Sequence, residues 1–332
     1  MLKRSFTPFL SLVMSFVVLT GVGLSAGVQA ATTPITPGSG NGYKISPVRS
    51  DLTLAAGKSQ TIPIYIQNVS NAVENLQVIT NDFQANSDES GNPALLLNGK
   101  SAPVHGLKQF ITVPTSTLTL QPNEQKSVSA VIAIPTNAVA GGYYGAVRVA
   151  PVSSTGGGIV NLSASVASLI LIKVPGDTKE QVGIASIGVE SGTKQRSIFT
   201  TGKNLNAVIR FQNSGDVQEE PFGKLILKKG SSSTSYEVNN TDPRGNVLPG
   251  SIRKFAVPLT KVGSFGKYTL QGNFGYGSNG QLLSASTTFY IIPVPAIVGL
   301  IVIVALILFV IFEVPRLIKR YNRRVLRKAG RR

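Results

Sequence analysis

What most limits the folds open to this chain is residues 291–312, an uncharged apolar run followed at once by a tail in which nine Lys/Arg meet one acid, Glu313. At about 1.5 Å per helical residue the run reaches roughly 25 Å counted from Ala296 and roughly 33 Å counted from Ile291, which brackets the ~30 Å hydrocarbon core of a bilayer. Pro293 and Pro295 suit the first turn of a helix, where a missing N–H costs nothing. A transmembrane helix is therefore expected over 291–312, with 313–332 as a basic cytoplasmic tail. Arg316, Lys319, Arg320, Arg323 and Arg324 flank the membrane, and the positive-inside rule then puts everything before Ile291 outside. Val314, Leu317, Ile318, Tyr321 and Val325 recur at spacings of three and four, which gives the tail an apolar stripe beneath a cationic face; stop-transfer alone also accounts for the charges.

The N-terminal end agrees with that topology. Lys3 and Arg4 precede an apolar stretch over 9–24, and Val28-Gln29-Ala30 has the small-residue pattern of a signal peptidase site. Residues 1–30 are expected to be a signal peptide, with an uncleaved first anchor as the alternative. Residues 31–42, rich in Pro, Gly, Ser and Thr, read as a flexible linker.

The formal charge of +17 divides into +2 from the signal segment, +8 from the tail and +7 from everything between. More than half of the basicity thus reports topology, and nucleic-acid binding loses its main support. The chain has no Cys and no Trp. Disulfides, thiolate metal sites and immunoglobulin domains built on a Cys–Trp–Cys core are excluded. An exported chain of this kind reads as a bacterial, single-pass surface protein of the cell membrane, from an organism whose one membrane faces a wall.

From Tyr43 onward, short β-branched runs alternate with turn chemistry. Strands are expected near 52–54, 61–66, 76–80, 110–113, 127–134 and 146–149, with a longer run over 159–174. After Pro175-Gly176-Asp177 the rhythm resumes near 182–189, 206–211, 224–228, 252–257, 268–274 and 284–290. The fold class is an all-β ectodomain: two tandem Ig-like β-sandwich domains, 43–175 and 176–290, ahead of one C-terminal transmembrane helix. The halves resemble distant copies of each other. Each has a strand ending in Gln-Asn (Gln67-Asn68, Gln212-Asn213), then a Pro turn, an apolar strand, and a Gly-x-Tyr or Gly-Tyr opening another strand (Gly142-Tyr143, Gly266-Lys267-Tyr268). Asn there tolerates left-handed backbone and bonds its own turn, and Tyr can tie down a corner.

Several of these residues resemble a known family. Ile45-Ser46-Pro47, the Gly57 turn, Asn81-Asp82 leading to Asp88-Glu89-Ser90-Gly91-Asn92, Leu120-Gln121-Pro122, and Gly141-Gly142-Tyr143-Tyr144-Gly145 are similar to the N-terminal domain of WxL-interacting proteins of Gram-positive bacteria. The second module, the helix and the basic tail follow in the same order. The resemblance implies a first domain that binds peptidoglycan and a second that binds a partner protein; its motifs are turn and strand residues, and no tight functional motif transfers.

Chemistry-bearing constellations are few. His105 is the one histidine and lies in a Pro/Gly neighbourhood without a Gly-x-Ser-x-Gly elbow, so it reads as a loop residue, and the acids are scattered; no catalytic residue and no enzyme is expected. Asp82, Asn86, Asp88, Glu89 and Asn92 surround Gly91 with oxygen ligands, but without the spacing of a helix-loop-helix calcium site; a solvated loop is the reading, and no metal or cofactor is expected. Leu248-Pro249-Gly250-Ser251 lies far from the helix and lacks the Thr-Gly of a sorting signal. The Gly-flanked aromatics Tyr143, Tyr144, Phe274 and Tyr276 admit two readings: a surface that stacks on sugar rings or accepts a partner's strand, or corner and core residues in a fold without Trp. The function expected is a membrane-anchored binding or scaffold protein whose partners are the lipid bilayer and peptidoglycan or another wall polymer, exported surface proteins, or both. The alternative is a pilus-chaperone-like assembly factor acting by strand exchange.

Overall fold

The computed structural model describes residues 42–97, 102, 105–152 and 165–329. The expected signal peptide at 1–30 and all but Gly42 of the expected linker lie outside the described residues. Alternation sets the first half: in Ser59–Asn68 the side chains of Ile62, Ile64, Ile66 and Asn68 are buried while those between them face outward, the period of two that a half-buried strand demands. The strands of this half are β1 (Tyr43–Ser46), β2 (Arg49–Thr53), β3 (Ser59–Asn68), β4 (Glu74–Ala85), β5 (Pro93–Leu95), β6 (Ile111–Thr112), β7 (Thr117–Leu120), β8 (Gln125–Ala133), β9 (Gly141–Pro151) and β10 (Val166–Val174). They form one sheet in the order β1-β3-β8-β6 and another in the order β2-β10-β9-β4-β5, with β7 beside β4. Ile64, Ile66, Val128 and Ile132 from the first sheet meet Leu76, Val147, Val149, Ile170 and Ile172 from the second in one apolar core. That is a β-sandwich.

The second half repeats the plan with β11 (Val182–Ser191), β12 (Lys194–Arg196), β13 (Ile198–Phe199), β14 (Leu205–Asn213), β15 (Phe222–Lys229), β16 (Ser232–Val238), β17 (Ile252–Leu259), β18 (Gly266–Tyr276) and β19 (Gln281–Ile291). Its sheets run β12-β11-β14-β17 and β13-β19-β18-β15-β16. Ala207, Ile209 and Phe211 face Leu225, Tyr268, Leu270, Phe274 and Phe289 across its core. A third cluster, Phe83, Tyr144, Ala146 and Leu171 with Leu248 packed against them, joins the outer face of the first sandwich to the second.

One helix, α1 (Val294–Ala329), ends the described chain. It differs from the expected 291–312 at both ends. Ile291 is fully buried sheet, paired with Gly266 and Phe199, so the apolar run begins inside β19. The helix then continues without a break past Phe312 and Pro315 to Ala329, within the expected tail. Its segment Val294–Arg323 is long and apolar enough to cross a membrane and contains an 18-residue window of mean hydropathy 3.3, no residue of which is buried.

Candidate functional site

β9 corrects the reading of the Gly/Tyr segment as a possible ligand surface. Gly141-Gly142-Tyr143-Tyr144-Gly145 is the start of a strand covered on both faces, so it lacks alternation of burial. Tyr143 points into the first core and Tyr144 into the cluster between the sandwiches. Phe274 and Tyr276 sit in the second core. All four rings are 2–8% exposed and present no stacking face to solvent. The glycines have a packing cause: the Tyr144 ring folds back over Gly142 and the Phe274 ring over Gly272, two residues apart on one strand face, where any Cβ would collide with the ring. His105, with φ of 55°, stacks on Tyr143 at 4.8 Å between ring centroids and serves as a loop residue.

The oxygen-rich segment after Asp82 is likewise engaged. Asp82 is buried on β4, where its carboxylate accepts the Ala102 and Lys108 N–H groups at 2.9 and 2.7 Å. Asp88 accepts from Ser90, and hydrogen bonds to Ser90 hold its carboxyl below the usual range. Glu89 pairs with Arg210 at 2.7 Å. Among the described residues no group of three acidic or histidine side chains is placed to hold a metal ion. Of the basic residues expected beside the membrane, Arg316, Lys319, Arg320 and Arg323 lie on α1, at spacings that put them on one face, and Arg316 pairs with Glu313 at 2.6 Å; the side chain of Arg324 lies outside the described residues.

Two regions that the sequence did not single out remain. The first is the outer face of the β1-β3-β8-β6 sheet, which is open to solvent, whereas the outer face of the partner sheet is capped by the cluster around Tyr144. Register places Ser46 and Ser127 on either side of Tyr65, and Ser129 opposite Pro63. Tyr65 is 43% exposed and is the one exposed aromatic among the described residues of the first sandwich. An exposed ring on a hydroxyl-lined sheet face can stack on a pyranose while the serines exchange hydrogen bonds with its hydroxyls.

The second is a cleft of about 500 Å³ between the sandwiches, lined by Arg49, Asp51, Lys173, Glu180, Glu219 and Arg244 among others. Arg49 donates to Glu220 at 2.9 Å and to the Arg244 carbonyl at 2.7 Å, and Lys173 pairs with Glu180 at 2.5 Å. Burial, followed by the charge of Glu180, raises the Glu219 carboxyl from 4.5 to about 7. Burial also works against ionisation of Glu180, but the hydrogen bonds from Lys173 and Ser278 outweigh it and bring that carboxyl to about 2. The cleft's charges are largely spent on one another, which suits a fastened joint better than a reactive centre.

Among solved structures the chain is similar to the class 5 fimbriae chaperone CfaA (12% identity, 76% of this chain and 100% of that one, TM-score 0.36). It is also similar to the E. coli chaperone DraB (13% identity, 75% and 96%, TM-score 0.32). The CsuC–CsuE chaperone–tip adhesin complex of Acinetobacter baumannii gives 12% identity over 73% and 97%, with a TM-score of 0.36. Likeness at this level carries no argument about what the chain does. No curated protein matches it. Residues 50–150, from Ser50 in β2 to Ala150 in β9, match the family model described as WxL Interacting Protein, peptidoglycan binding domain, so this part of the first sandwich is similar to that domain of the WxL-interacting proteins.

Proposed function

We propose that the protein is a non-enzymatic, membrane-anchored binding protein of the bacterial surface, whose first sandwich contacts peptidoglycan and whose second contacts an exported protein. The observation that carries this reading is the match of residues 50–150 to a peptidoglycan-binding domain in a chain that ends in a helix apt to cross a membrane. The basic residues on the far part of α1 support an orientation with both sandwiches outside. Within the first sandwich, the open face around Tyr65 is the contact surface, since the opposite face is occupied by the second sandwich.

The test is co-sedimentation of the detergent-solubilised full chain with purified peptidoglycan sacculi, at low and at physiological salt. Binding that persists at physiological salt and falls about fivefold in Tyr65→Ala, the order of one lost stacking contact, supports the reading. Binding that disappears with salt reduces it to unspecific charge. Strong binding unchanged in Tyr65→Ala moves the wall contact to another face.

A further inference from the structure

At one end of the second sandwich, strand register gathers the start of β18 and the ends of β13 and β19 where the chain enters α1, and residues 260–265 connect the end of β17 to the start of β18 there. Ile291, the last residue of β19, pairs with Gly266 and with Phe199, and only Ile292 and Pro293 separate it from the helix. At about 3.5 Å per extended residue, Ile291 lies within roughly 10 Å of the helix start, with the ends of β13 and β18 paired beside it. Any bilayer that α1 enters lies directly beneath it.

The rim carries two features that suit such a surface. Lys203, Lys261 and Lys267 are exposed around it, while Glu190, one register step in from the start of β14, is buried and held by Arg210 and Lys254. At its edge Phe265 is 60% exposed, and Ile198 and Tyr290, cross-strand neighbours beside the helix entry, are 57% and 41% exposed.

Phe265 is held in this position by the loop that carries it. The Gly263 N–H donates to the Tyr268 hydroxyl at 2.9 Å, Lys229 Nζ donates to the Phe265 carbonyl at 2.7 Å, and the Lys261 N–H donates to the Tyr236 hydroxyl at 3.3 Å. Gly202 closes the loop from the other side, lying so near Val262 and Gly263 that a side chain there would collide with the Gly263 carbonyl. The backbone is thus fastened while its one large apolar side chain is left in solvent, an arrangement that core packing does not explain.

We propose that this rim docks on the bilayer that α1 enters, with Lys203, Lys261 and Lys267 on anionic lipid headgroups and Phe265 in the interfacial layer. The proposal rests on the reading of α1 as a membrane span, but not on which way the chain crosses. Exposed aromatic and apolar groups ringed by lysine are what an interfacial contact requires: the ring gains the headgroup–acyl boundary, and the ammonium groups gain the negative surface potential. Docking holds the second sandwich down on the membrane, so that the helix is not a free tether.

The chain has no cysteine, so a single introduced thiol can be labelled in the full-length protein. Ser264→Cys places an environment-sensitive fluorophore beside Phe265, and Asn240→Cys places one beyond the far end of β16. Each labelled protein is reconstituted through α1 into phosphatidylcholine vesicles, with and without phosphatidylglycerol, and exposed to an aqueous quencher. The label at 264 is expected to be shielded with phosphatidylglycerol and open without it, and the label at 240 open in both. Lys203→Glu/Lys261→Glu/Lys267→Glu weakens the docked state by at least about fivefold per charge, and Phe265→Ser reduces shielding with the lysines intact. A label at 264 as open as that at 240 with phosphatidylglycerol, or shielding unchanged in the triple variant, overturns the docking. Flotation after an alkaline wash separates the two levels: protein that floats with an open label defeats docking alone, and protein that fails to float defeats the membrane span as well.

Discussion

Asn68 and Asn213 make the same hydrogen bonds in the two sandwiches. Each is the last residue of its strand, each is fully buried, and each donates from Nδ2 at 2.7 Å to the carbonyl four residues on, Ala72 and Val217. Each also reaches a distant connection, Leu120 and Gln121 from Asn68 and Val247 from Asn213. Each accepts at Oδ1 from the N–H two residues on, at 2.8 Å. One side chain therefore closes its own turn and ties it to the loop ahead of β8 or β17. Truncation leaves buried carbonyls and one N–H without partners, so Asn68→Ala and Asn213→Ala should each cost about 2–4 kcal/mol. Urea unfolding followed by circular dichroism measures this; a loss under about 1 kcal/mol in either variant would mean that water replaces the side chain.

This pair was legible in the sequence because the Gln-Asn ending recurs in both halves, and the Gly/Tyr landmarks follow suit: the Tyr143 hydroxyl donates to the Val139 carbonyl at 3.0 Å, and the Tyr268 hydroxyl accepts from the Gly263 N–H at 2.9 Å. Strands with one wet face, such as β3 and β8, announce themselves by alternation. β9 does not, because both of its faces are covered, and the Tyr144 ring that lies across Gly142 is visible only in the fold. β16 was missed because its run of Ser and Thr looks like a turn, although its register with β15 makes it an edge strand. Tyr65 carries no signal that sets it apart from any other outward strand residue, and the cleft draws Arg49, Glu180, Glu220 and Arg244 from separate parts of the chain that only the tertiary fold brings together.

Arg210 is the centre of an unequal network across the joint. Its Nε donates to Glu89 of the first sandwich at 2.7 Å and its Nη2 to Glu190 at 3.1 Å; the Glu190 side chain is 5% exposed, that of Glu89 34%. Removing Glu89 deletes a half-exposed pair, so Glu89→Ala should cost under about 1 kcal/mol. Arg210→Ala instead strands the buried Glu190 with only Lys254 at 3.5 Å, and about 2–4 kcal/mol should be lost. Equal losses in the two variants, measured by urea unfolding, would show that Glu190 finds another partner.

Glu219 makes stability depend on pH near neutrality. Its folded carboxyl lies near 7 against an ordinary 4.5, so the folded state binds its proton more tightly than the unfolded state does. The sign follows: the benefit is present in full below about 4.5 and is lost as pH rises through about 7. The melting temperature should therefore fall between about pH 5 and pH 8 by a contribution that Glu219→Gln removes, because glutamine still accepts the Gly277 N–H through its amide oxygen. Comparing parent and variant across the range cancels every contribution that the two proteins share. Parallel profiles for the two proteins would place the proton elsewhere.

Gly215 and Gly183 test how tightly the connection between the sandwiches is held. Residues 179–181 bond to the turn after β14, the Ser214 N–H donating to the Gln181 carbonyl at 2.9 Å and the Asp216 N–H to the Lys179 carbonyl at 3.0 Å. Gly215 lies between these bonds, and a Cβ there would collide with the Lys179 carbonyl oxygen, whose backbone cannot move without breaking both. Gly215→Ala should cost about 1–3 kcal/mol and speed proteolytic cleavage around residues 175–181. On β11, Gly183 has nothing within 4 Å of its would-be Cβ, so Gly183→Ala should leave stability unchanged or raise it by up to about 1 kcal/mol through the smaller entropy lost on folding. Urea unfolding and limited proteolysis of both variants supply the comparison. If Gly215→Ala were as stable and as protease-resistant as Gly183→Ala, the segment would be a loose linker, and the cleft, the cluster around Tyr144 and the Arg210–Glu89 pair would have to join the two sandwiches without it.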